Sequence, residues 1–194
     1  MKILITITAI ALIIISMFWG YYKSGDPVII IKTELGDINV ELYENDAPVT
    51  VENFLKYVDS SAFVNSSFYR TVTLSNQPGN DIKIEVIQGG LYEEDKMFAP
   101  IQHEPTVETG ILHKNGVISM ARNEPGSATS EFFICVGDQP ELDYGGKRNP
   151  DGQGFAAFGK VISGMDVVLK IHVQPDSAQA LYPRIGIIDI IRKE

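Results

Sequence analysis

The sequence predicts a mainly β fold, in which short antiparallel strands close into a barrel with two short helices packed on it. Two observations carry this prediction. Short apolar runs bounded by turn residues recur along the chain, as expected of strands. After Lys23, only two segments place apolar residues at helical spacing. Many short strands with few helices are typical of closed antiparallel barrels.

The first elements follow from period and turn chemistry. Two strands are predicted in VIIIKTELGDINVELY, with a turn near Gly36, because Ile38, Val40 and Leu42 alternate with polar residues. The next segment, DAPVTVENFLKYVDSS, predicts a helix that begins near Pro48, which suits a first helical position. Its apolar residues fall at helical spacing: Val51, Phe54, Leu55 and Val58.

The remaining elements are shorter. SSFYRTV and IKIEVIQGG are strand-like and frame a polar loop, TLSNQPGND. Three further strands are predicted in GVISMAR, SEFFICV and GFAAFGKVI, which are apolar and bounded by turn residues. GMDVVLKIH predicts the second short helix, and RIGIIDIIRKE predicts a final strand.

Composition excludes several classes of function. The chain has 194 residues, enough for one ordinary core, with 21% charged and 44% hydrophobic residues. Without Lys2 and Lys23, the 16 basic residues become 14, against 25 acidic residues, so the part after Lys23 has a net charge of −11. A domain this acidic is a poor nucleic-acid binder, because phosphate contacts need a positive surface.

No cofactor or metal is expected. Cys135 is the single cysteine and lies in the apolar run FFICV, which favours a small buried side chain over a nucleophile. The three histidines show no HxxxH or HxH spacing, and no second cysteine could complete a zinc site.

The amino terminus predicts a hydrophobic helix. Residues 3–19 carry no charge and are long enough to cross a bilayer core, and Trp19 begins an aromatic flank. Two interpretations of this segment stay open. One is an uncleaved membrane anchor, which we favour because no small-x-small cleavage site follows, and the other is a cleaved secretory signal. Residues 1–23 are therefore assigned to this segment, 24–27 to a linker and 28–194 to the folded domain. Either reading exports the domain, as an anchored protein on the periplasmic side of a bacterial inner membrane or as a periplasmic or secreted one.

An ordered set of motifs resembles the cyclophilins, a family of peptidyl-prolyl cis–trans isomerases. The resemblance runs from about Val28 to Arg192 and rests on DAPVTVENFLKYV, FYRTV, VIQGG, GVISMAR, SATSEFFICV and FAAFGKVISGMDVV. Each motif alone is weak, but their order is specific. The details resemble bacterial envelope members, and the resemblance implies a closed eight-stranded barrel capped by two helices.

The resemblance also implies the site. Arg70, an arginine among strand-forming residues, matches the family's catalytic arginine, and Gln88 matches its groove glutamine. The expected substrate-binding residues are Val86, Phe133, Leu142 and Phe155 as walls of a proline pocket, and Ala121 and Arg122 along the substrate backbone. The expected partners are proline-containing polypeptides, with no cofactor and no nucleic acid, and the domain is expected to be monomeric.

Several residues depart from the family pattern. The stretch 73–83 is an insertion expected to form a loop beside the groove. Glu85 replaces an aromatic residue and faces solvent or pairs with Arg70. Glu131 stands where a glutamine is usual and is expected to add negative charge, which favours basic or neutral clients over acidic ones. Glu141 stands where the family often has tryptophan, which predicts weak binding of cyclosporin-like peptides.

The predicted function is isomerisation of X–Pro bonds in exported proteins, which assists their folding. The alternative is a proline-peptide binding chaperone or adaptor of the same fold with little turnover, which Glu85 and Glu131 keep open. A hydrolase is disfavoured because the sequence has no G-x-S-x-G motif and no recognisable triad signature.

Overall fold

The structure, a computed structural model, describes residues 25–91 and 96–193. The predicted N-terminal hydrophobic helix, the anchor or signal segment 1–23 and residue 24 of the linker lie outside the described residues. Within the ranges that the structure covers, no helix combines the length and the apolar character needed to cross a membrane.

One antiparallel sheet makes up most of the described chain. Its strands are β1 (Val28–Thr33), β2 (Gly36–Leu42), β3 (Ser66–Val72), β4 (Val86–Gly90), β5 (Val117–Met120), β6 (Phe132–Cys135), β7 (Ala156–Ser163), β8 (Asp176–Ser177) and β9 (Ala180–Arg192). They lie in the order β1-β2-β7-β5-β6-β4-β3-β9, and β9 pairs with β1 to close the ring. The two-residue β8 pairs with the start of β9. The closed eight-stranded antiparallel barrel is confirmed.

The helices differ in number from the prediction. The two predicted helices form as α1 (Pro48–Asp59) and α3 (Met165–His172), and a third, α2 (Thr106–Thr109), lies between them in the chain. Pro48 opens α1, whose buried face includes Val51 and Phe54, as the spacing predicts. The expectation of two helices is wrong by one because the single turn of α2 is too short to show a helical period.

The strand predicted over IKIEVIQGG begins later than expected, at Val86. The side chain of the buried Gln77 takes the place of a strand partner just before it. The Gln77 amide nitrogen donates to the Ile84 carbonyl at 2.8 Å, and its oxygen accepts from the Ile84 N–H at 3.3 Å. These bonds satisfy the buried backbone without a ladder, so this stretch stays a loop.

The interior of the barrel holds an aromatic core centred on α1. The ring of Phe54 lies 5.2 Å from those of Phe63 and Phe158 and 5.4 Å from that of Phe132, measured between centroids. All four side chains are fully buried. These contacts pack α1 against the strands, which agrees with the apolar spacing in its sequence.

A second, smaller apolar cluster lies on the outer face of β4 and β6. On β6, Phe132 and Ile134 belong to the main core, whereas Phe133 and Cys135 belong to the second cluster. Both faces of this strand are therefore buried, which explains why FFIC shows no polar alternation. Cys135 is buried there, and burial raises its pKa, so the interpretation as a small buried side chain agrees with the structure.

Replacing the central ring tests this account of the core. We expect Phe54→Ala to lower the free energy of unfolding by about 3–5 kcal/mol, because it removes a ring and leaves a cavity. Leu169→Ala, at an exposed position of α3, is the matched control and should change it by less than about 0.5 kcal/mol. Equilibrium urea unfolding measures both values, and similar losses in the two variants would contradict the assignment.

Candidate active site

A groove with a volume of about 780 Å³ runs across the outer face of the barrel. All eight side chains predicted for the site line it: Arg70, Val86, Gln88, Ala121, Arg122, Phe133, Leu142 and Phe155. Tyr69, Met97, Phe98, Glu131 and Arg148 also line it and were not predicted as site residues. The residues come from three strands, β3, β4 and β6, and from several segments between strands, so only the fold brings them together.

The second apolar cluster forms the floor of the groove. Phe133 is 4% exposed and Leu142 is fully buried, and Val86 packs with them. The ring of Phe155 stands at 88° to that of Phe133, with centroids 5.3 Å apart. The Phe155 N–H donates to the Leu142 carbonyl at 3.0 Å, which ties the two loops that form this wall. The result is an apolar notch of the kind that holds a small ring.

His113 supports the notch from beneath and was not predicted from the sequence. Its ring stacks on Phe133 with centroids 5.9 Å apart, and its two nitrogens bond to the Asp143 carboxylate at 2.7 Å and to the Ser119 hydroxyl at 2.9 Å. The order Asp–His–Ser matches that of a hydrolase triad. Ser119 is fully buried and His113 is 1% exposed, so this hydroxyl cannot reach a substrate.

A β-bulge turns Arg70 toward the groove. Phe68 points into the main core, and strict alternation would send Arg70 the same way. Against β4, Phe68 pairs with Gly89 and Arg70 pairs with Gln88, so Tyr69 is an extra residue on β3. Tyr69 and Arg70 therefore both face the groove.

The guanidinium of Arg70 is held by two neutral amide oxygens. Its Nη1 donates to Gln88 Oε1 at 2.8 Å, while its Nε and Nη2 donate to Gln179 Oε1 at 3.0 and 2.6 Å. No carboxylate bonds to it within the described part of the chain. Burial lowers the pKa of Arg70, but arginine stays protonated in proteins. The site therefore contains a fixed cation, and none of the described carboxylates is in contact with it as a counter-ion.

Glu85 does not supply that counter-ion. Its carboxylate lies 4.0 Å from His172 Nε2 on α3, so of the two expectations for Glu85 the pairing with Arg70 is wrong. Gln179, which does hold Arg70, could not be found from sequence because 109 residues separate the two.

The charge of Glu131 also differs from the expectation. Tyr69 donates its hydroxyl proton to Glu131 Oε2 and accepts a bond from Gln88 Nε2 at 2.6 Å. Burial raises the pKa of Glu131 to about 7, so the expected negative charge is incomplete at neutral pH. The client preference based on that charge stays a prediction.

Arg122 holds one wall of the groove rather than extending into solvent. Its guanidinium donates to both carboxylate oxygens of Asp151 at 2.8 and 3.0 Å and through Nε to the Gly154 carbonyl at 2.8 Å. Its Cζ lies 5.2 Å from the centroid of the Phe155 ring, and the side chain is 1% exposed. Contact of the backbone at Ala121 and Arg122 with a substrate stays a prediction.

The inserted loop reaches the groove at the end nearest Ile84. Arg148, a second groove arginine, donates through Nη1 to Gln77 Oε1 at 2.9 Å and to the Ile82 carbonyl at 2.7 Å. The side chain of Gln179 donates to the Asn76 carbonyl at 3.2 Å, so the loop also contacts the residue that holds Arg70. The expected position of the insertion, beside the groove, agrees with these contacts.

Comparison with known proteins agrees with the fold and the groove. Residues 28–191 match the family model described as cyclophilin type peptidyl-prolyl cis-trans isomerase/CLD. A peptidyl-prolyl cis-trans isomerase of Acinetobacter baylyi is 33% identical over 91% of this chain and 88% of its own length. Peptidyl-prolyl cis-trans isomerase B of Escherichia coli is 35% identical over 72% of this chain and 80% of its own length.

Solved structures show the same architecture. A cyclophilin-type peptidyl-prolyl cis-trans isomerase of Cryptosporidium parvum superposes with a TM-score of 0.68 over 87% of this chain and 98% of that one, at 22% identity. That protein was also crystallised in the presence of the dipeptide Ala-Pro. The chain belongs to the cyclophilin family and is a cyclophilin-type peptidyl-prolyl cis–trans isomerase, the class EC 5.2.1.8.

The bond between Arg122 and Asp151 yields a test of how the wall is held. We expect Asp151→Ala to lower the melting temperature and raise KM for a prolyl peptide, because it leaves a buried guanidinium without its carboxylate and loosens Phe155. Arg122 lowers the pKa of Asp151 to about 2. The stabilisation is therefore full above the unfolded pKa, near 4, and is lost as pH falls toward 2.

Thermal scans from pH 7 down to pH 2 check this expectation. The difference in melting temperature between wild type and Asp151→Ala should narrow below about pH 4. The control is Asp166→Ala, which removes an exposed carboxylate that bonds Lys170 at 2.9 Å on α3. This control should change neither the melting temperature nor KM appreciably. Equal effects from both substitutions would show that Asp151 has no special role.

Proposed function

We propose that Arg70 is the catalytic residue of this isomerase and that the apolar floor of the groove holds the substrate proline. One observation carries the proposal: a guanidinium fixed by two amide oxygens, with no counter-ion in contact among the described residues, lies in the same groove as the notch formed by Phe133, Leu142 and Phe155.

The chemistry requires such a cation. The amide bond resists rotation by about 18–20 kcal/mol because its nitrogen lone pair is shared with the carbonyl. In the twisted state the lone pair returns to nitrogen, which then accepts a hydrogen bond. A fixed cationic donor aimed at that nitrogen stabilises the twisted state more than either planar isomer. No covalent intermediate and no cofactor are needed.

The other groove residues have supporting roles in this proposal. Phe133, Leu142, Phe155 and Val86 hold the proline ring still while the carbonyl before it swings. Gln88 uses one oxygen lone pair on Arg70 and one amide hydrogen on Tyr69, which leaves one of each for a substrate carbonyl or N–H. The edge at Ala121 and Arg122 pairs with the substrate backbone as an added strand would.

We further propose that the clients are exported proteins and that the isomerase assists their folding outside the cytoplasm, where slow X–Pro exchange limits folding. The uncharged segment 3–19 and its aromatic flank support an uncleaved anchor that places the domain on the periplasmic side of the inner membrane. A cleaved signal that releases the domain is the second possibility.

Substitution of Arg70 tests the catalytic role. We expect Arg70→Ala to lower kcat/KM by about 100- to 1000-fold, because it removes the donor to the twisted bond. Arg70→Lys should recover only part of this loss, since lysine lacks the fork that both glutamines hold. A protease-coupled assay on a prolyl tetrapeptide measures these rates.

Arg192→Ala is the matched control, because Arg192 is exposed, pairs with Asp59 and does not line the groove. It should leave kcat/KM unchanged. Wild-type activity in Arg70→Ala would refute the proposed role. Wild-type protein that is no faster than buffer but still binds prolyl peptides would favour the chaperone or adaptor function.

Export is tested separately in bacteria that express the full chain. We expect the protein in the membrane fraction after a carbonate wash, and digestion of its domain by protease added to spheroplasts but not to intact cells. N-terminal sequencing distinguishes anchor from cleaved signal. Recovery in the cytoplasmic fraction, protected from protease in spheroplasts, would rule out both forms of export.

A further inference from the structure

A chain of hydrogen bonds connects a buried carboxylate to the guanidinium of Arg70. It runs from Glu131 on the residue before β6, through Tyr69 on the β3 bulge, to Gln88 on β4 and then to Arg70. The first hydrogen bond joins the segment before β6 to β3, and the next two both join β3 and β4. The inference drawn from it rests on the proposed catalytic role of Arg70.

The donors and acceptors along these hydrogen bonds are fixed by the ionised carboxylate of Glu131. A carboxylate only accepts hydrogen bonds, so the single proton of the Tyr69 hydroxyl goes to Glu131. The Tyr69 oxygen is then an acceptor for Gln88, which must present its Nε2. The other side of that amide, Oε1, therefore faces Arg70 and accepts from Nη1. One ionised group thus fixes the orientation of every later group.

We propose that Glu131 and Tyr69 are positioning residues that keep the Gln88 amide oxygen on Arg70, and that protonation of Glu131 releases this orientation and lowers the isomerase rate. A protonated carboxyl can donate to the Tyr69 oxygen. Tyr69 then turns its proton toward Gln88, whose amide flips to receive it. The flipped amide presents its Nε2 to Arg70, so a donor faces a donor and the guanidinium loses one of its two supports.

The surroundings of Glu131 bring its protonation into the neutral pH range. Burial raises the pKa of Glu131 to about 7, and its Oε1 atom is buried with no hydrogen-bond partner among the described residues. The bond from Tyr69 is the larger of two interactions, the other with the side chain of Ser130, that favour the ionised form and lower the pKa of Glu131 against the effect of burial.

Within the described chain, the charged and titratable groups that face Glu131 come from β3 and α1. They are Tyr69 on β3, Tyr57 on α1 and, two hydrogen bonds beyond Tyr69, Arg70 on β3. The pKa values of both tyrosines are raised, so neither ionises near pH 7. Among the described groups of this cluster, Glu131 is therefore the one that changes its protonation state near neutral pH.

The sign of the effect follows directly. Above pH 7 Glu131 is a carboxylate, the Gln88 oxygen faces Arg70, and the rate is at its upper level. Below pH 7 the carboxyl is protonated and the rate falls to a lower level. Gln179 still accepts from two nitrogens of Arg70 at every pH, so we expect a drop of about three- to tenfold rather than a complete loss.

The test is a pH profile of kcat/KM from pH 5.5 to 8.5. The substrate is an Ala-Pro peptide with blocked termini and no ionisable side chain, and two-dimensional NMR exchange replaces the protease-coupled assay, whose protease titrates itself. We expect wild type to show a step centred near pH 7. The ¹⁵Nε resonance of Arg70 should shift with the same midpoint, which a merely structural role of Glu131 would not produce.

Three variants separate the possible causes of such a step. E131Q has no ionisable group at this position and should show a flat profile, with a rate between the two wild-type levels. Y69F interrupts the chain and should be flat at or below the lower level. E34Q, at an exposed carboxylate away from the groove, should keep the wild-type step. Melting temperatures confirm that each variant is folded.

The outcomes distinguish this inference from the proposed function. A flat wild-type profile, or a step that persists in E131Q, overturns the positioning role of Glu131 even if Arg70→Ala is inactive. Full wild-type activity in Arg70→Ala instead overturns the catalytic role on which the inference rests. A step that is present in wild type and E34Q and absent from E131Q and Y69F supports it.

Discussion

The bulge at Tyr69 is the constraint on which the site depends. A strand that alternates strictly would put Arg70 on the same side as Phe68, in the aromatic core, where an unpaired guanidinium would be severely destabilising. One extra residue reverses the phase of alternation, so that Phe68 faces the core and Arg70, two positions later, faces the groove. The same extra residue places Tyr69 beside Arg70, which makes the hydrogen-bond chain to Glu131 possible.

The two apolar clusters give the site its rigidity. Because β6 is buried on both faces, the ring that forms the notch, Phe133, is fixed from behind by a strand whose other face holds Phe132 in the main core. Burial on both faces leaves little freedom to the backbone between them. The bonds of His113 and Arg122 then fix the loops that complete the notch, so its shape does not depend on a substrate being present.

Sequence reasoning was most successful where a residue acts through its own strand or motif. The barrel and α1 could be predicted from hydrophobic period and turn residues, and the eight predicted residues that line the groove could be named because their motifs match those of the cyclophilins. What the sequence could not show were partners that only folding brings close. Gln179 lies 109 residues from Arg70, and the bulge that aims Arg70 has no signature in SSFYRTV. The pKa of Glu131 depends on burial, which a sequence does not reveal.

The acidity of the whole domain is therefore a poor guide to the charge that a substrate meets. At physiological ionic strength charges are screened over about 8 Å, so acidic residues on distant surfaces contribute little within the groove. Among the described lining residues, Arg70 and Arg148 have no carboxylate in contact, Arg122 is paired with Asp151, and Glu131 is partly protonated at neutral pH. The local charge of these side chains is positive although the net charge after Lys23 is −11. The charge that a ligand meets in the groove is then set by these few half-buried groups rather than by the net charge of the domain.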